Sequence, residues 1–244
     1  MEWWLVAGGI GIGMMSGFFG IGGGTITVPY LLYLGYGIKQ AIGISAMQMV
    51  LSSFAGSWLH QQQKSYELKE VIWFGIGGAI GAVIGGILVK LLDAKLLGWL
   101  FLGIVAFTLI RLFLASPHPS GRELNNRFLN LLIGVGVGIF SGMLGVGGSI
   151  LMTPILVSFL GFGLKKASAV GLSFVMFTSV AGSATLYQLG FVNLYDGALL
   201  GSASLLGVWL GIHLLKITGH GRYKQAIVLF YIIIFILTAK KLLA

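Results

Sequence analysis

The residues best suited to chemistry in this sequence lie in two glycine-rich stretches. SGFFGIGGGTITVPY runs from Ser16 to Tyr30, and SGMLGVGGSILMTPI runs from Ser141 to Ile155. Each stretch interrupts a long apolar block, so each is expected to end one helix and to begin another. The start of a helix presents unpaired N–H groups and the positive end of its dipole, and glycine lets a ligand come close. The pattern therefore favours the binding of an anion by backbone groups.

Neutral polar side chains near these stretches offer further hydrogen-bond donors. Thr25 and Ser149 directly follow the glycines and are residue types favoured as N-caps. Gln48 lies three residues after Ser45, on the same helix face, where its amide can donate to an oxyanion. Each hydroxyl can instead bond to a carbonyl of its own helix. The predicted substrate-binding residues are Gly20, Gly22, Gly23, Gly24, Thr25, Ser45, Gln48, Gly145, Gly147, Gly148, Ser149 and Ser173.

The composition of the chain indicates a membrane protein. Of its 244 residues, 57% are hydrophobic and only 9% are charged, whereas a soluble domain has about 25% charged residues. The net charge is +9, but the lysines and arginines lie mainly at the ends of the apolar blocks, where they set orientation. This placement argues against a nucleic-acid partner.

Several classes of chemistry find no support in the sequence. The chain has no cysteine, and no Ser–His–Asp set or metal-ligand cluster is evident. We therefore expect neither an enzyme nor a metal or other cofactor. A cation pathway would need a carboxylate at mid-membrane depth, whereas every acidic residue lies near the end of an apolar block: Glu2, Glu67, Glu70, Asp93, Glu123 and Asp196.

The chain is built from two repeats. The glycines and the proline of the two stretches match at a constant spacing of 125 residues, and Ala41–Ser45 is matched with Ala169–Ser173. Gly81 and Gly85 recur as Gly207 and Gly211, where close helix packing is the favoured interpretation. We predict an all-α polytopic membrane protein of two inverted repeats, residues 1–115 and 128–244, joined by a cytoplasmic linker, residues 116–127. Each repeat would have a glycine-broken first segment and three transmembrane helices.

The first segment of each repeat, more than thirty residues long, can fold back on itself or cross the membrane once. Folding back, either as a re-entrant pair of half-helices or as two short crossings, divides the basic residues 10 against 5. A single crossing divides them 8 against 7. The positive-inside rule therefore favours folding back, with both termini outside.

The two stretches resemble the sulfite exporter TauE/SafE family of membrane transporters. The resemblance rests on GFFGIGGGTITVPYLL and GMLGVGGSILMTPIL, each followed by an Ala-x-Gly-x-Ser element, and it covers essentially the whole chain. It implies the export of sulfite, sulfoacetate or related organosulfur anions. In the second stretch Ser149 and Ile150 replace Gly24 and Thr25, so the two sides of the site should differ. The family motif falls on Gly20, Gly22, Gly23, Gly24, Pro29, Gly145, Gly147, Gly148 and Pro154.

These observations predict a secondary transporter that exports a small sulfur oxyanion across the cytoplasmic (inner) membrane. The anion, such as sulfite, a sulfonate or thiosulfate, would sit between the two glycine turns while the halves rock by alternating access. An anion channel and a non-transporting membrane subunit are the alternatives. The expected partners are the anion and membrane lipid, and the sequence allows a homodimer.

Overall fold

The computed structural model describes residues 2–20, 22–62, 68–114, 126–217 and 220–243. Within these ranges all regular structure is α-helical, as predicted. The predicted linker lies largely outside them, and the division into two repeats at this linker stays a prediction. The helices are α1 (Glu2–Phe19), α2 (Gly24–Tyr33), α3 (Ile38–Gln62), α4 (Leu68–Leu91), α5 (Ala94–Leu114), α6 (Arg127–Leu144), α7 (Ser149–Phe159), α8 (Leu164–Gln188), α9 (Leu194–Ile217) and α10 (His220–Leu243).

Helix length and hydropathy define a multi-pass membrane protein. In the described residues, five helices are long and apolar enough to cross a bilayer: Ile38–Gln62, Val71–Leu91, Arg127–Leu144, Leu164–Gln188 and Leu194–Leu215. By contrast, α2 and α7 have only 10 and 11 residues. At 1.5 Å per residue each spans roughly half of a hydrocarbon core about 30 Å thick. They are therefore half-helices.

Both predicted helix breaks are present. Helix α1 ends at Phe19 and α2 begins at Gly24, while α6 ends at Leu144 and α7 begins at Ser149. The turns use the left-handed backbone region that glycine adopts without steric cost. Positive φ angles of 64° to 86° occur at Gly20, Gly22, Gly23, Gly145, Gly147 and Gly148.

The first broken segment folds back on itself. The Tyr30 hydroxyl donates to the Trp4 carbonyl, and the Tyr30 ring occupies the space beside Gly8. If α2 continued in the direction of α1, Tyr30 would lie more than about 20 Å from Gly8, given the helical rise of 1.5 Å per residue. Helices α1 and α2 therefore form a hairpin whose tip is the glycine turn.

Hydrogen bonds show that the starts of α1 and α9 and the α2–α3 connection lie at the same end of the bundle. Tyr195 Oη donates to Glu2 Oε1 (2.8 Å), which joins the start of α9 to the start of α1. Tyr36 Oη donates to Asp196 Oδ2 (2.9 Å), which adds the α2–α3 connection. We call this the N-terminal end of the bundle. It is the grouping expected if the broken segments fold back, while the inverted relation of the repeats in a membrane stays a prediction.

Helix pairing crosses between the two halves. Helix α1 packs most extensively on α9, and α6 packs most extensively on α4. Helices α3 and α8 add to these pairs, since α3 packs on α9 and α8 packs on α4. The result is two groups, α1/α3/α9 and α4/α6/α8, which meet where α3 packs on α8. Each group contains helices from both halves of the chain.

Glycines allow these pairs to approach closely. A methyl group on Gly81 would overlap the Val135 carbonyl oxygen of α6, and one on Gly207 would overlap the Ile10 carbonyl oxygen of α1. Gly85 and Gly211 lie in the same way against Ile139 and Met14. The interpretation of these four glycines as packing residues is confirmed.

A Gly13→Ala substitution should destabilise the α1–α9 interface. The added methyl group would overlap the Ser204 carbonyl oxygen, and overpacking of this kind costs about 1–3 kcal/mol. Thermal unfolding of the purified protein in detergent measures the loss. Gly11→Ala is the matched control, because Gly11 lies on the same helix with open space around it. Equal melting temperatures for the two variants would contradict the packing described here.

Candidate functional site

The two helix breaks meet in the middle of the bundle. A methyl group on Gly24 would overlap the Gly145 carbonyl oxygen and come 2.8 Å from Val146 Cα. The helix breaks lie beside Met49 and Val175, which are near the middle of α3 and α8. The chain thus brings two half-helix N-termini together at mid-depth, where side chains and backbone are buried.

Val175 and Met49 fill the space between the glycine turns. A Cβ atom on Gly22 would lie 2.8 Å from Val175 Cγ1, and one on Gly147 would lie 2.7 Å from the same atom. The Gly147 position also faces Met49 Sδ at 2.8 Å. The two turns are therefore closed over each other in this conformation.

Hydroxyl groups of α3 and α8 bind the carbonyl oxygens of the turns. Ser52 Oγ donates to the Gly22 carbonyl (3.4 Å), and Thr178 Oγ1 donates to the Gly147 carbonyl (2.9 Å). Ser53 Oγ and Ser179 Oγ lie 3.4 Å apart across the α3–α8 contact. These side chains hold the turns against the long helices α3 and α8. The predicted binding set did not include Ser52 and Thr178.

The pairing of Ser45 with Ser173 is wrong. Helices α3 and α8 correspond at a spacing of 126 residues, and 126 residues also separate Ser52 from Thr178. Ser45 and Ser173 are 128 residues apart, so they occupy different positions. Accordingly, Ser45 Oγ donates to the Gly145 carbonyl of the opposite break (2.7 Å), whereas Ser173 Oγ donates within its own helix to Ala169 (3.0 Å).

The expectation that Thr25 and Ser149 cap the half-helices is also wrong. The N-caps are Gly23 and Gly148, and neither has a side-chain capping bond. Thr25 and Ser149 lie in the first turn of α2 and α7 instead, where their hydroxyls are buried without a hydrogen-bond partner. A glycine at the N-cap leaves the first N–H groups of each half-helix available.

Gln48 places an amide donor at the first break. Thr27 Oγ1 lies within hydrogen-bonding distance of two acceptors, the Gly23 carbonyl (3.0 Å) and Gln48 Oε1 (3.2 Å), so the Gln48 amide lies beside the first break. Gln48 Nε2 is fully buried, has no partner, and lies 3.1 Å from the position of a Cβ on Gly23. An unsatisfied buried donor costs about 1–3 kcal/mol, which a bound acceptor would offset.

The second break lacks this amide. Phe174 lies 126 residues after Gln48, and its ring faces Gly148, with Cε1 2.7 Å from a Cβ built there. One side of the junction is thus polar and the other aromatic. The sequence predicted unequal sides from the residues of the turns, but it did not predict this exchange on the long helices.

The described residues at the junction include hydrogen-bond donors and no charged side chain. Of the predicted binding residues, the structure brings together the six glycines of the turns with Gly24, Thr25, Ser45, Gln48 and Ser149, whereas Ser173 is turned to its own helix. Among the described residues, no group of His, Cys, Asp or Glu is arranged to hold a metal ion. The arrangement suits a ligand that accepts hydrogen bonds.

The fold and this junction define a polytopic helical membrane protein with two half-helices that meet at mid-depth. Residues 5–238 match the family described as "Sulfite exporter TauE/SafE", and the chain belongs to that family. It is therefore a membrane transporter rather than an enzyme.

Relatives carry similar descriptions. A probable membrane transporter protein of Haemophilus influenzae is 29% identical, over 90% of this chain and 86% of its own length. One of Methanocaldococcus jannaschii is 29% identical, over 78% and 77%. The probable membrane transporter protein YunE of Bacillus subtilis is 25% identical, over 85% and 84%. No solved structure matches the chain.

Proposed function

We propose that this transporter exports a small sulfur oxyanion, either sulfite or an organosulfonate, from a site between the two helix breaks. The observation that carries the proposal is the meeting of two half-helix N-termini with three unpartnered donors, Thr25 Oγ1, Gln48 Nε2 and Ser149 Oγ. Helix N-termini and backbone N–H groups bind anions without a cationic side chain. The family description supports sulfite and related anions as the substrate class.

The closed junction supports alternating access. Val175 and Met49 occupy the space that an anion would need, so the helices must separate before it can bind. The interface available for this motion is the α3–α8 contact between the groups α1/α3/α9 and α4/α6/α8. These groups, rather than the two halves of the sequence, would rock against each other.

Uptake into liposomes tests the proposal. The purified protein should move sulfite, thiosulfate or a small organosulfonate and should not move Na⁺ or K⁺. Turnover should not exceed about 10³ per second, the upper range of typical enzyme turnover. Currents far above this rate would indicate an anion channel. No movement of any of these anions, with or without a pH gradient, would contradict the substrate class.

A Gln48→Leu substitution should reduce transport of the anion at least tenfold. A charge-assisted hydrogen bond is worth about 1.5–3 kcal/mol, and 1.4 kcal/mol corresponds to a factor of ten. The initial rate in liposomes measures the effect. Gln40→Leu is the control, because Gln40 is exposed on the same helix. If both variants transport at the wild-type rate, Gln48 does not contact the anion.

A further inference from the structure

A groove on the lipid-facing side of the bundle separates α2 from α10. It has a volume of about 260 Å³. Tyr33 and Leu237 are 47% and 40% exposed at its rim, whereas Ile234 is buried at its base. The lining is Ile26, Pro29, Tyr30, Tyr33, Ile234 and Leu237. These side chains offer a hydrocarbon surface, so the groove suits an acyl chain and not the transported anion.

Cationic side chains lie at the mouth of the groove. Lys241 Nζ lies 5.7 Å from the centroid of the Tyr33 ring, a cation–π distance. Lys240, the preceding residue on α10, is exposed. Tyr33 Oη donates to the Leu237 carbonyl (3.1 Å), and the same residue lines the groove and contacts Lys241. Two lysines thus lie at the end of α10, at the depth where a lipid headgroup would lie.

The pair of helices that corresponds to α2 and α10 is α7 and α5. Helix α5 packs on α7, as α10 packs on α2. Thr108 Oγ1 of α5 donates to the Ile150 carbonyl of α7 (3.0 Å). At a spacing of 126 residues α10 has Ile234, which lines the groove. The hydrogen bond between α10 and α2 is instead made by Tyr33 at the end of α2, and the groove lies at the position that Thr108 occupies in the α5–α7 pair.

We propose that this groove binds one acyl chain of an anionic phospholipid, with its phosphate on Lys240 and Lys241. The apolar lining selects a hydrocarbon chain, and the paired lysines select a negative headgroup over a zwitterionic one. Juxtamembrane lysines attract anionic lipid headgroups.

The bound lipid would support α2, the half-helix that begins at the first break. Pro29 forms part of the groove wall, and a proline inside a helix removes one backbone hydrogen bond. An acyl chain packed against Pro29 supplies contacts to the helix at this weakened point. Lipid binding itself does not depend on the proposed substrate, so the two can fail separately.

Native mass spectrometry and thermal unfolding in mixed micelles test the site without any transported anion. Phosphatidylglycerol and phosphatidylcholine with identical acyl chains are the probes. We expect phosphatidylglycerol to be retained and to raise the melting temperature more than phosphatidylcholine does. A Lys240→Ala, Lys241→Ala double variant should weaken phosphatidylglycerol binding at least tenfold, and Leu237→Trp, which fills the groove, should weaken binding of both lipids.

Lys95→Ala is the matched control, because Lys95 is exposed at the start of α5 and does not line the groove. It should retain the wild-type preference for phosphatidylglycerol. Equal binding of the two lipids would overturn the proposal, as would an equal loss of the preference in Lys95→Ala. A dimer that dissociates on Leu237→Trp, with no bound lipid, would assign the groove to a second copy of the chain instead.

Discussion

A Gly22→Leu, Gly147→Leu double variant is expected to reach the membrane and to transport no measurable anion. Both glycines have positive φ, 73° and 71°, a conformation that costs an ordinary residue about 1–2 kcal/mol. A leucine at either position would also collide with Val175, which already lies within 3 Å of a Cβ built there. Because these positions form the walls of the proposed site, the turns would be displaced and the anion space would be filled.

Gly35→Leu separates backbone strain from the loss of the site. Gly35 has a φ of +93° and no heavy atom within 4 Å of a built Cβ. It should therefore show the strain alone, with a modest loss of stability and near-normal uptake. Membrane insertion and the helical signal in circular dichroism are measured for each variant. Wild-type uptake by the correctly inserted double variant would remove the assignment of the site to the turns.

A disulfide between α3 and α8 is expected to stop transport reversibly. The chain has no cysteine, so a Ser53→Cys, Ser179→Cys double variant contains only the intended pair. The two hydroxyl oxygens are 3.4 Å apart, and a modest side-chain adjustment brings sulfur atoms to the bonding distance of about 2.0 Å. If the two helix groups separate along this interface, oxidation should reduce transport more than tenfold and a reductant should restore it.

The assay needs a transported anion other than sulfite, because sulfite itself cleaves disulfides. The two single-cysteine variants control for the substitutions and should respond to neither oxidant nor reductant. Full activity in the oxidised double variant would mean that α3 and α8 do not separate during transport. The rocking groups would then have to be assigned to another interface.

The helix breaks were predictable because glycine and proline have strong local effects. Glycines followed five to six residues later by Pro29 or Pro154 disrupt an apolar helix wherever it lies in the fold. The same argument could not decide between a hairpin and a single crossing. That choice depended on counting basic residues, and the contact of Tyr30 with Trp4 now shows the hairpin for the first segment.

The register of the long helices was not predictable from the motif alone. Ala-x-Gly-x-Ser recurs at 128 residues, whereas α3 and α8 correspond at 126. A shift of two residues rotates a helical position by about 200°, enough to turn Ser173 away from the junction. The hydroxyls that do bind the turns, Ser52 and Thr178, could not be distinguished from self-bonded serines and threonines because both roles use the same residue types.

The position of the caps shows how tertiary packing overrides a local preference. Serine and threonine are common N-caps because their hydroxyls bind a free N–H group. Here Gly23 and Gly148 occupy the caps, since both have positive φ and a Cβ would come 3.0 Å from Gln48 at Gly23 and 2.7 Å from Phe174 at Gly148. The hydroxyls of Thr25 and Ser149 are left for another partner, which the proposed anion would supply.

A map of the protein in lipid nanodiscs with a transported anion bound is the most direct test of the central proposal. The anion should lie between the helix breaks, within hydrogen-bonding distance of Gln48 Nε2 and of N–H groups in the first turn of α2 or α7. Val175 and Met49 should have moved away from the turns. An anion bound away from this junction, with Val175 still packed against Gly22 and Gly147, would contradict the proposal.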